Sequence, residues 1–292
     1  MRIYNPKKWF DILFQFHKSD TLRRLSLLII IIAAYTWLIT YLELNYLNLG
    51  EHPTVKNIFN MHNLLGFALS LLLVFRTNTA YDRWWEGRKL WGSLVNTSRN
   101  LAIKLHALLP VEDEENRNFF RNAIPMYASV LKDHLQSEYT RYGLDEAEHP
   151  ELKQIDNTKH APNQVAALMN SRLMGLHRQG AISGEQLLYI NDNLNAFTDI
   201  CGACERIKNT PIPYSYSAFI KKFIFIYVMT LPFGFVFTLG YLVVPVVAIV
   251  FYVLASLELI AEEIEDPFGN DMNDLPMDRL AMNIRKHVSE II

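Results

Sequence analysis

The side chains best suited to direct chemistry form an acidic run near the carboxyl end of the chain. Four carboxylates flank a Pro-Phe-Gly-Asn turn, and they belong to Glu263, Asp266, Asp271 and Asp274. Calcium prefers such hard oxygen ligands on a flexible loop. A solvated acidic cap on a helix end would also account for the run. We therefore expect that the protein requires no cofactor. If these residues bind an ion, we expect calcium or another divalent ion.

Elsewhere the sequence gives no support for an enzyme. It contains no zinc-protease, nucleophile-elbow or phosphate-loop motif. His160 and His177 each stand apart from other ligand types along the chain, which predicts structural roles for both. Cys201 and Cys204 form one CGAC pair, which predicts two buried helix residues rather than a zinc centre or a disulfide framework.

A stripe of large apolar side chains offers a different kind of function. Phe67, Leu71 and Phe75 recur every four residues, so they share one face of a helix. Several copies of that helix around an axis would stack these side chains into apolar rings, which control ion passage by dewetting. Packing against lipid or other helices is the alternative. Gly66 lies on another face, where it permits close helix packing.

The stripe lies in a long helix that we predict from 54 to 108. The segment begins apolar and continues, without Pro or a turn signal, into polar residues and the sequence RWWE. A membrane span needs about 20 apolar residues, and a helix rises about 1.5 Å per residue. Only the first half therefore fits in lipid. A helix that begins apolar and ends polar suits a segment lining a passage out of the membrane.

Composition predicts a membrane protein. The 292 residues are 50% hydrophobic and 20% charged, but the charge is strongly segregated. Two blocks, 25–47 and 219–261, are almost free of charged residues, which predicts membrane spans. We predict four crossings, namely residues 25–44, the first half of 54–108, residues 218–240 and residues 241–257.

Basic residues predict the orientation of these crossings. Lys and Arg cluster beside the span ends at Arg23, Arg24, Lys221 and Lys222, whereas the linkers 45–53 and 240–244 contain neither. By the positive-inside rule, both termini and the region 86–216 are cytoplasmic. A net charge of −2 gives no indication of a nucleic-acid partner. No signal-peptide pattern precedes the first span, which we expect to remain in the mature protein.

These elements predict an all-α protein with long helical extensions outside the membrane. Residues 1–108 hold an amphipathic surface helix (1–24), the first span and the long helix. Residues 109–216 form a helical cytoplasmic region, with helices at 163–178 and 183–206. Residues 217–262 hold the last two spans, and residues 263–292 hold the acidic run and a cytoplasmic tail.

Four motifs together resemble the bestrophin family, in its bacterial branch. They are FRTNTAYDRWWEGRKLWG (Phe75–Gly92), KHAPNQ (Lys159–Gln164), PIPYSYS and DPFGND (Asp266–Asp271). The resemblance covers nearly the whole chain. It implies a homopentamer in which the long helix of each subunit lines one central pore, in the bacterial inner membrane. It also implies that the partners are the lipid bilayer, permeant ions and further copies of the chain.

The resemblance assigns roles to individual residues. Counted without gaps from Arg83-Trp84-Trp85, the apolar neck that gates the pore falls on Phe67, Leu71 and Phe75, the stripe described above. The family also has a cytoplasmic constriction, for which Ile182 is our prediction. Animal members bind calcium in the acidic run, but here Met272 and two amides dilute it, which weakens the expectation of calcium gating.

The family implies chloride conduction, but the residues leave the sign of the ion open. Arg76 and Arg83 would favour anions if they faced the pore, whereas Asp82 and Glu86 would favour cations. A cation-permeable or non-selective pore is therefore the alternative. A rival of another class is a membrane-anchored scaffold or regulatory protein, which would not need the polar continuation of the long helix. A secondary transporter would need ionisable residues at mid-membrane, and the spans outside the long helix have none.

Overall fold

All regular structure in the described part of the chain is helical. The computed structural model describes residues 20–47, 53–136 and 159–292, which contain no strand. The α-helices there are α1 Asp20–Leu42, α2 Pro53–Leu108, α3 Glu114–Gln136, α4 Ala161–Arg178, α5 Gly184–Asn209, α6 Tyr214–Leu239, α7 Val243–Glu265 and α8 Met277–Ile291. The all-α prediction is confirmed. Residues 1–19 of the predicted surface helix lie outside the described residues.

Helix α2 has the predicted extent. It runs for 56 residues without interruption, which is about 84 Å at the usual helical rise. Pro53 stands at its first position, where a missing N–H costs nothing. At its other end, the buried Arg117 guanidinium donates to the carbonyls of His106, Leu109 and Pro110. These bonds satisfy carbonyls left without helical partners, so they fix where the helix ends.

The chain divides into two compact units, each built from separate stretches. The spanning unit comprises 2–82 and 212–265, and the tail unit comprises 83–211 and 266–292. Among the described residues, three stretches are long and apolar enough to cross a membrane, namely Thr21–Tyr46, Met61–Leu108 and Tyr214–Glu265. The last of these holds α6 and α7, joined by a 3-10 turn at Gly240–Leu242.

Apolar packing organises the spanning unit. Its core joins Ile32 of α1, Leu69 and Leu73 of α2, and buried residues of α6 and α7 such as Val228 and Val247. Two polar contacts add to this packing at α6. The Tyr35 hydroxyl donates to the Met229 carbonyl at 3.1 Å, and His62 Nε2 lies 3.0 Å from Thr230 Oγ1. The buried side of α2 is thereby held against its own unit.

The tail unit has a larger core that joins α2 to α3, α4, α5 and α8. Trp91, Leu94 and Leu101 of α2 are fully buried in it. The Tyr127 hydroxyl of α3 donates to the Phe197 carbonyl of α5 at 2.7 Å, which satisfies a buried polar group. Ser183 and Gln186 form a capping box that starts α5. The core of the tail unit holds the second half of α2, as the core of the spanning unit holds the first half.

Candidate functional site: the exposed face of the long helix

The predicted neck residues are exposed in the isolated chain. Phe67, Leu71 and Phe75 are 70%, 46% and 54% exposed, respectively. On the opposite side of the same helical segment, Leu69 and Leu73 are buried at 0% and 2%. The stripe found from its spacing therefore points away from the core of its own unit. In water this exposure would be unfavourable, so the stripe needs either lipid or other copies of the chain around it.

Close packing on another side of α2 keeps the stripe turned outward. An ideal Cβ at Gly66 would lie 2.7 Å from the Tyr227 hydroxyl oxygen of α6. The His62 imidazole lies between Tyr227 and Phe235, with ring centroids 5.6 and 6.5 Å away. The expectation that Gly66 permits close helix packing is confirmed.

The exposed face changes character along α2. In the spanning unit the exposed positions next along this face are Asn78 and Asp82. In the tail unit the same helix exposes mainly polar residues, among them Glu86, Lys89, Ser93, Asn96 and Asn100, with Ile103 an exposed large apolar residue near its end. Trp85 is also half exposed. One uninterrupted helix thus presents large apolar side chains first and amides, hydroxyls and charges afterwards.

Arg76 does not contribute a charge to this face. It is 1% exposed, and its Nη2 donates to Glu265 Oε2 at 2.7 Å while Nε lies 3.4 Å from Glu258 Oε1. Glu265 also accepts the Ile212 N–H at 2.6 Å. The guanidinium is therefore committed to two carboxylates of α7, and it holds α2 against the end of that helix.

Arg83 is likewise engaged inside its own unit. Its two terminal nitrogens donate to the carbonyls of Ile207 and Thr210 at 2.6 and 2.5 Å. These carbonyls lie at the carboxyl end of α5, where a cation is favoured by the unsatisfied carbonyls and the helix dipole. Neither arginine that could have favoured anions is directed at the exposed face of α2.

The structure argues against Ile182 as a constriction. Its side chain is 1% exposed and belongs to the apolar core of the tail unit, in the turn between α4 and α5. Its carbonyl lies 2.9 Å from His177 Nδ1, which fixes the turn. A pore-lining side chain must reach water, whereas this one is held in the core. The sequence GAISGEQ gave no signal of that burial.

Three carboxylates of the acidic run contact other groups of the protein. Asp274 is 2% exposed, and its Oδ2 accepts the Asp271 N–H within the same loop. Asp266 Oδ1 accepts the Phe268 N–H at 3.2 Å. Glu263, in the spanning unit, pairs with Arg24 at 3.0 Å. Calcium takes six to eight oxygens. Asp274 Oδ1 is buried and has no hydrogen-bond partner among the described residues, and calcium binding by this run stays a prediction.

Burial also reduces the value of Asp274 as a ligand. It raises the pKa of this carboxyl to about 6, and the nearby Asp271 and Asp266 add to the rise although the Asp271 N–H opposes it. A carboxyl with a raised pKa holds its proton in competition with a metal. Calcium would therefore have to displace the proton of Asp274 in order to bind there.

A cluster that the sequence did not predict lies in the tail unit. His134, His160 and Glu205 bring their donor atoms within 4.8 Å of one another. The structural role predicted for His160 is confirmed because it caps α4, but it is not isolated in space, since its ring centroid lies 4.5 Å from that of His134. The three residues come from separate helices, so no local spacing in the sequence could have indicated the cluster.

The two cysteines occupy the interior, as predicted. Cys201 and Cys204 are free thiols, and both are buried. Burial raises the pKa of the Cys201 thiol to about 12 and raises that of Cys204 further. Reactive cysteines need a lowered pKa and access to solvent. These two therefore act as small apolar side chains.

Comparison with known proteins places the chain among membrane channels. A family model described as bacterial and fungal bestrophin protein matches residues 1–290. A voltage-dependent anion channel-forming protein of Nostoc sp. is 34% identical over 98% of this chain and 92% of its own length. A protein of the same description from Escherichia coli K12 is 30% identical over 95% of this chain and 90% of its own length.

A solved structure agrees with the described fold. The crystal structure of a mutant bacterial bestrophin homolog from Klebsiella pneumoniae superimposes with a TM-score of 0.78 at 26% identity. The match covers 92% of this chain and 98% of the Klebsiella chain.

Proposed function

This chain belongs to the bacterial and fungal bestrophin family, and we propose that five copies of it surround one ion-conducting pore. As a bestrophin it is an ion-channel protein of the membrane and not an enzyme. In the proposed pentamer each subunit contributes the outward face of α2. Phe67, Leu71 and Phe75 of the five copies then form three apolar rings, which act as the neck and the gate.

One observation carries this proposal, namely the unbroken change from apolar to polar along the exposed face of α2. A helix that only faced lipid would have no use for Asn78 and Asp82 next to Phe75 on that face. A membrane anchor would end or turn at the membrane surface. A pore helix needs both parts, because the apolar neck controls wetting and the polar part keeps the onward path filled with water.

We further propose four crossings with both termini in the cytoplasm of a bacterial inner membrane. Support comes from the distribution of Lys and Arg beside the spans and their absence from linkers 45–53 and 240–244. The 3-10 turn at Gly240–Leu242 allows α6 and α7 to be separate crossings.

We propose anion permeation as the first candidate for selectivity, following the names of the similar proteins from Nostoc and Escherichia coli. Cation permeation is the second candidate, and the side-chain contacts favour it. Arg76 and Arg83 are bound to carboxylates and carbonyls of the protein, whereas Asp82 and Glu86 are exposed and outnumber the one exposed cation named on this face, Lys89. The neck itself carries no charge and leaves the choice to these flanking residues.

Reconstitution tests conduction and assembly together. Purified full-length protein in proteoliposomes should pass monovalent ions faster than protein-free liposomes do. Absence of flux both for the wild type and for a variant with Phe67, Leu71 and Phe75 all changed to Ala would favour the scaffold alternative. Native mass spectrometry should give a complex of five 33.9 kDa chains, and any other number would contradict the pentamer.

The reversal potential in asymmetric salt decides the sign of the ion. With a high and a low potassium chloride concentration on the two sides of a bilayer, an anion pore and a cation pore give potentials of opposite sign. A potential near zero identifies a non-selective pore. Asp82→Asn with Glu86→Gln should shift the potential toward anions if these carboxylates face the pore.

A further inference from the structure

Two imidazoles and a carboxylate converge on one point of the tail unit. His134 lies in the last turn of α3, His160 is the N-cap residue of α4, and Glu205 lies in α5. The Nε2 atoms of both rings lie 2.6 Å from the same oxygen, Glu205 Oε1. We propose that these three side chains form a binding site for one divalent transition-metal ion, with zinc as the ion they suit best.

The donor atoms indicate the class of metal. Two imidazole nitrogens with one carboxylate oxygen are a common zinc ligand set, whereas calcium and magnesium prefer oxygen alone. Three protein ligands leave the fourth tetrahedral position for water. The side chains of His134, His160 and Glu205 are 20%, 32% and 29% exposed. An ion can therefore reach the site from solvent.

The surrounding core holds the three ligands in place. Each is next in sequence to a residue buried in the tail-unit core, namely Leu135, Ala161 and Cys204. Zinc–ligand bonds of about 2.0–2.1 Å put tetrahedral donor atoms about 3.3 Å apart. The present 2.6 Å separations therefore have to open by about 0.7 Å, which side-chain rotation can supply.

Zinc would replace a hydrogen bond of each imidazole ring. Without metal, both rings lie at hydrogen-bond distance from Glu205. In His160, Nδ1 accepts the Asn163 N–H at 3.2 Å, which puts the proton on Nε2. Coordination through Nε2 moves that proton to Nδ1, so His160 gives up its cap on α4. Zinc and the helix cap therefore compete for this ring.

A neighbouring cation also opposes the metal. Lys208 Nζ donates to the His134 carbonyl at 3.4 Å, which brings an ammonium charge close to the cluster. Removing that charge should strengthen zinc binding through reduced repulsion. Lys208→Met is thus a gain-of-affinity variant, an effect that damage to the fold would not produce.

Zinc titration of the metal-stripped, full-length protein tests the site. In competition with a zinc-binding dye, the wild type should take up one ion per chain. His134→Ala, His160→Ala and Glu205→Gln should each weaken binding by about 100-fold, while Lys208→Met tightens it severalfold. His177→Ala is the matched control, since His177 belongs to the same unit and its side chain contacts the Ile182 carbonyl of its own turn.

Two further measurements distinguish the loss of zinc binding from a folding defect. Zinc should raise the melting temperature of the wild type but not of Glu205→Gln, which keeps nearly the shape of the native side chain. Cobalt in the same site should give visible absorption bands that Glu205→Gln abolishes. Absence of zinc uptake by the wild type, or equal uptake by the Glu205→Gln and His177→Ala variants, would overturn the proposal. Because no step measures ion flux, this outcome is independent of whether the chain forms a channel.

Discussion

At the scale of single residues, the main finding is that the charged side chain of Arg76, next to the neck, stabilises the packing of helices instead of facing the exposed side of α2. Arg76 is enclosed by Glu258 and Glu265 at one end of the spanning unit. Its partners lie 182 and 189 positions away in the sequence, so the spacing along α2 could not show that this arginine is buried. The sequence allowed Arg76 to face a pore. The contacts show instead that it is bound to the two carboxylates and is not directed at the exposed face of α2.

Breaking the Arg76 pair should be costly. Arg76→Met leaves the carboxyl of Glu258 without its cation at 3% exposure, and breaking such a buried pair costs about 3–5 kcal/mol of unfolding free energy. Adding Glu258→Met removes that carboxyl and should recover most of the loss. Chemical denaturation of the detergent-solubilised protein measures both variants.

Lys221→Met provides the matched control for this prediction. Lys221 pairs with Glu262 at 2.9 Å, but both side chains are about half exposed, so the loss should be below about 1 kcal/mol. Equal stability of Arg76→Met and Lys221→Met would show that the buried pair is unimportant. The Arg76→Met/Glu258→Met double variant should also keep the wild-type reversal potential, since Arg76 is not directed at the exposed face.

The buried Asp274 should make stability depend on pH. Its pKa of about 6 in the folded chain lies above the ordinary value of 3.8, so the folded state binds the proton more tightly than the unfolded state. This contribution is full below pH 4 and is lost as the pH rises through 6, by up to about 3 kcal/mol. In Asp274→Asn, stability relative to the wild type should therefore increase between pH 4.5 and 7.5.

Melting temperatures at both pH values measure this difference. Asp199→Asn, at an exposed position of α5, should change stability equally at the two pH values. Parallel pH profiles for wild type and Asp274→Asn would contradict the assigned role of burial.

At the scale of elements, the long helix could be predicted and its surroundings could not. The limits of α2 and the position of its apolar stripe follow from local periodicity and from the lack of breakers. The His134–His160–Glu205 cluster depends on contacts between residues 45 and 71 positions apart. The burial of Ile182 likewise depends on which helices surround its turn. Such contacts follow from tertiary packing, which one sequence does not display.

Gly87 sets how closely α2 approaches the Pro-Phe-Gly turn in the tail unit. A Cβ there would lie 3.1 Å from Pro267 Cγ and 3.2 Å from the ring of Phe268, which is fully buried. Gly87→Ala should therefore lower the unfolding free energy by about 1–3 kcal/mol through overpacking.

The contrasting glycine is Gly175 in α4, where an added Cβ would meet nothing within 4 Å. Gly175→Ala should stabilise the protein by about 0.5–1 kcal/mol because alanine is the better helix former. Denaturant titration of both variants tests the contrast. A stabilising Gly87→Ala would show that α2 and the turn are less tightly packed than described.

At the scale of the whole molecule, the exposed apolar stripe of one chain is explained by the assembly of several chains. The face of α2 that carries Phe67, Leu71 and Phe75 has no cover from its own unit, whereas the opposite face is committed to the core. Five copies arranged around that face would enclose an apolar neck followed by a polar path. Replacing large rings by small ones should widen the wettable gap without weakening the core, because these side chains do not contribute to it.

Single-channel conductance in planar bilayers tests this neck most directly. Phe67→Ala, Leu71→Ala and Phe75→Ala combined should raise conductance or open probability several-fold over wild type. Ile249→Ala, at a position of α7 that is 62% exposed, should leave both unchanged. Unaltered conductance of the triple variant in an intact oligomer would contradict the role of the stripe as the gate, and loss of the oligomer would show that the stripe is a packing surface.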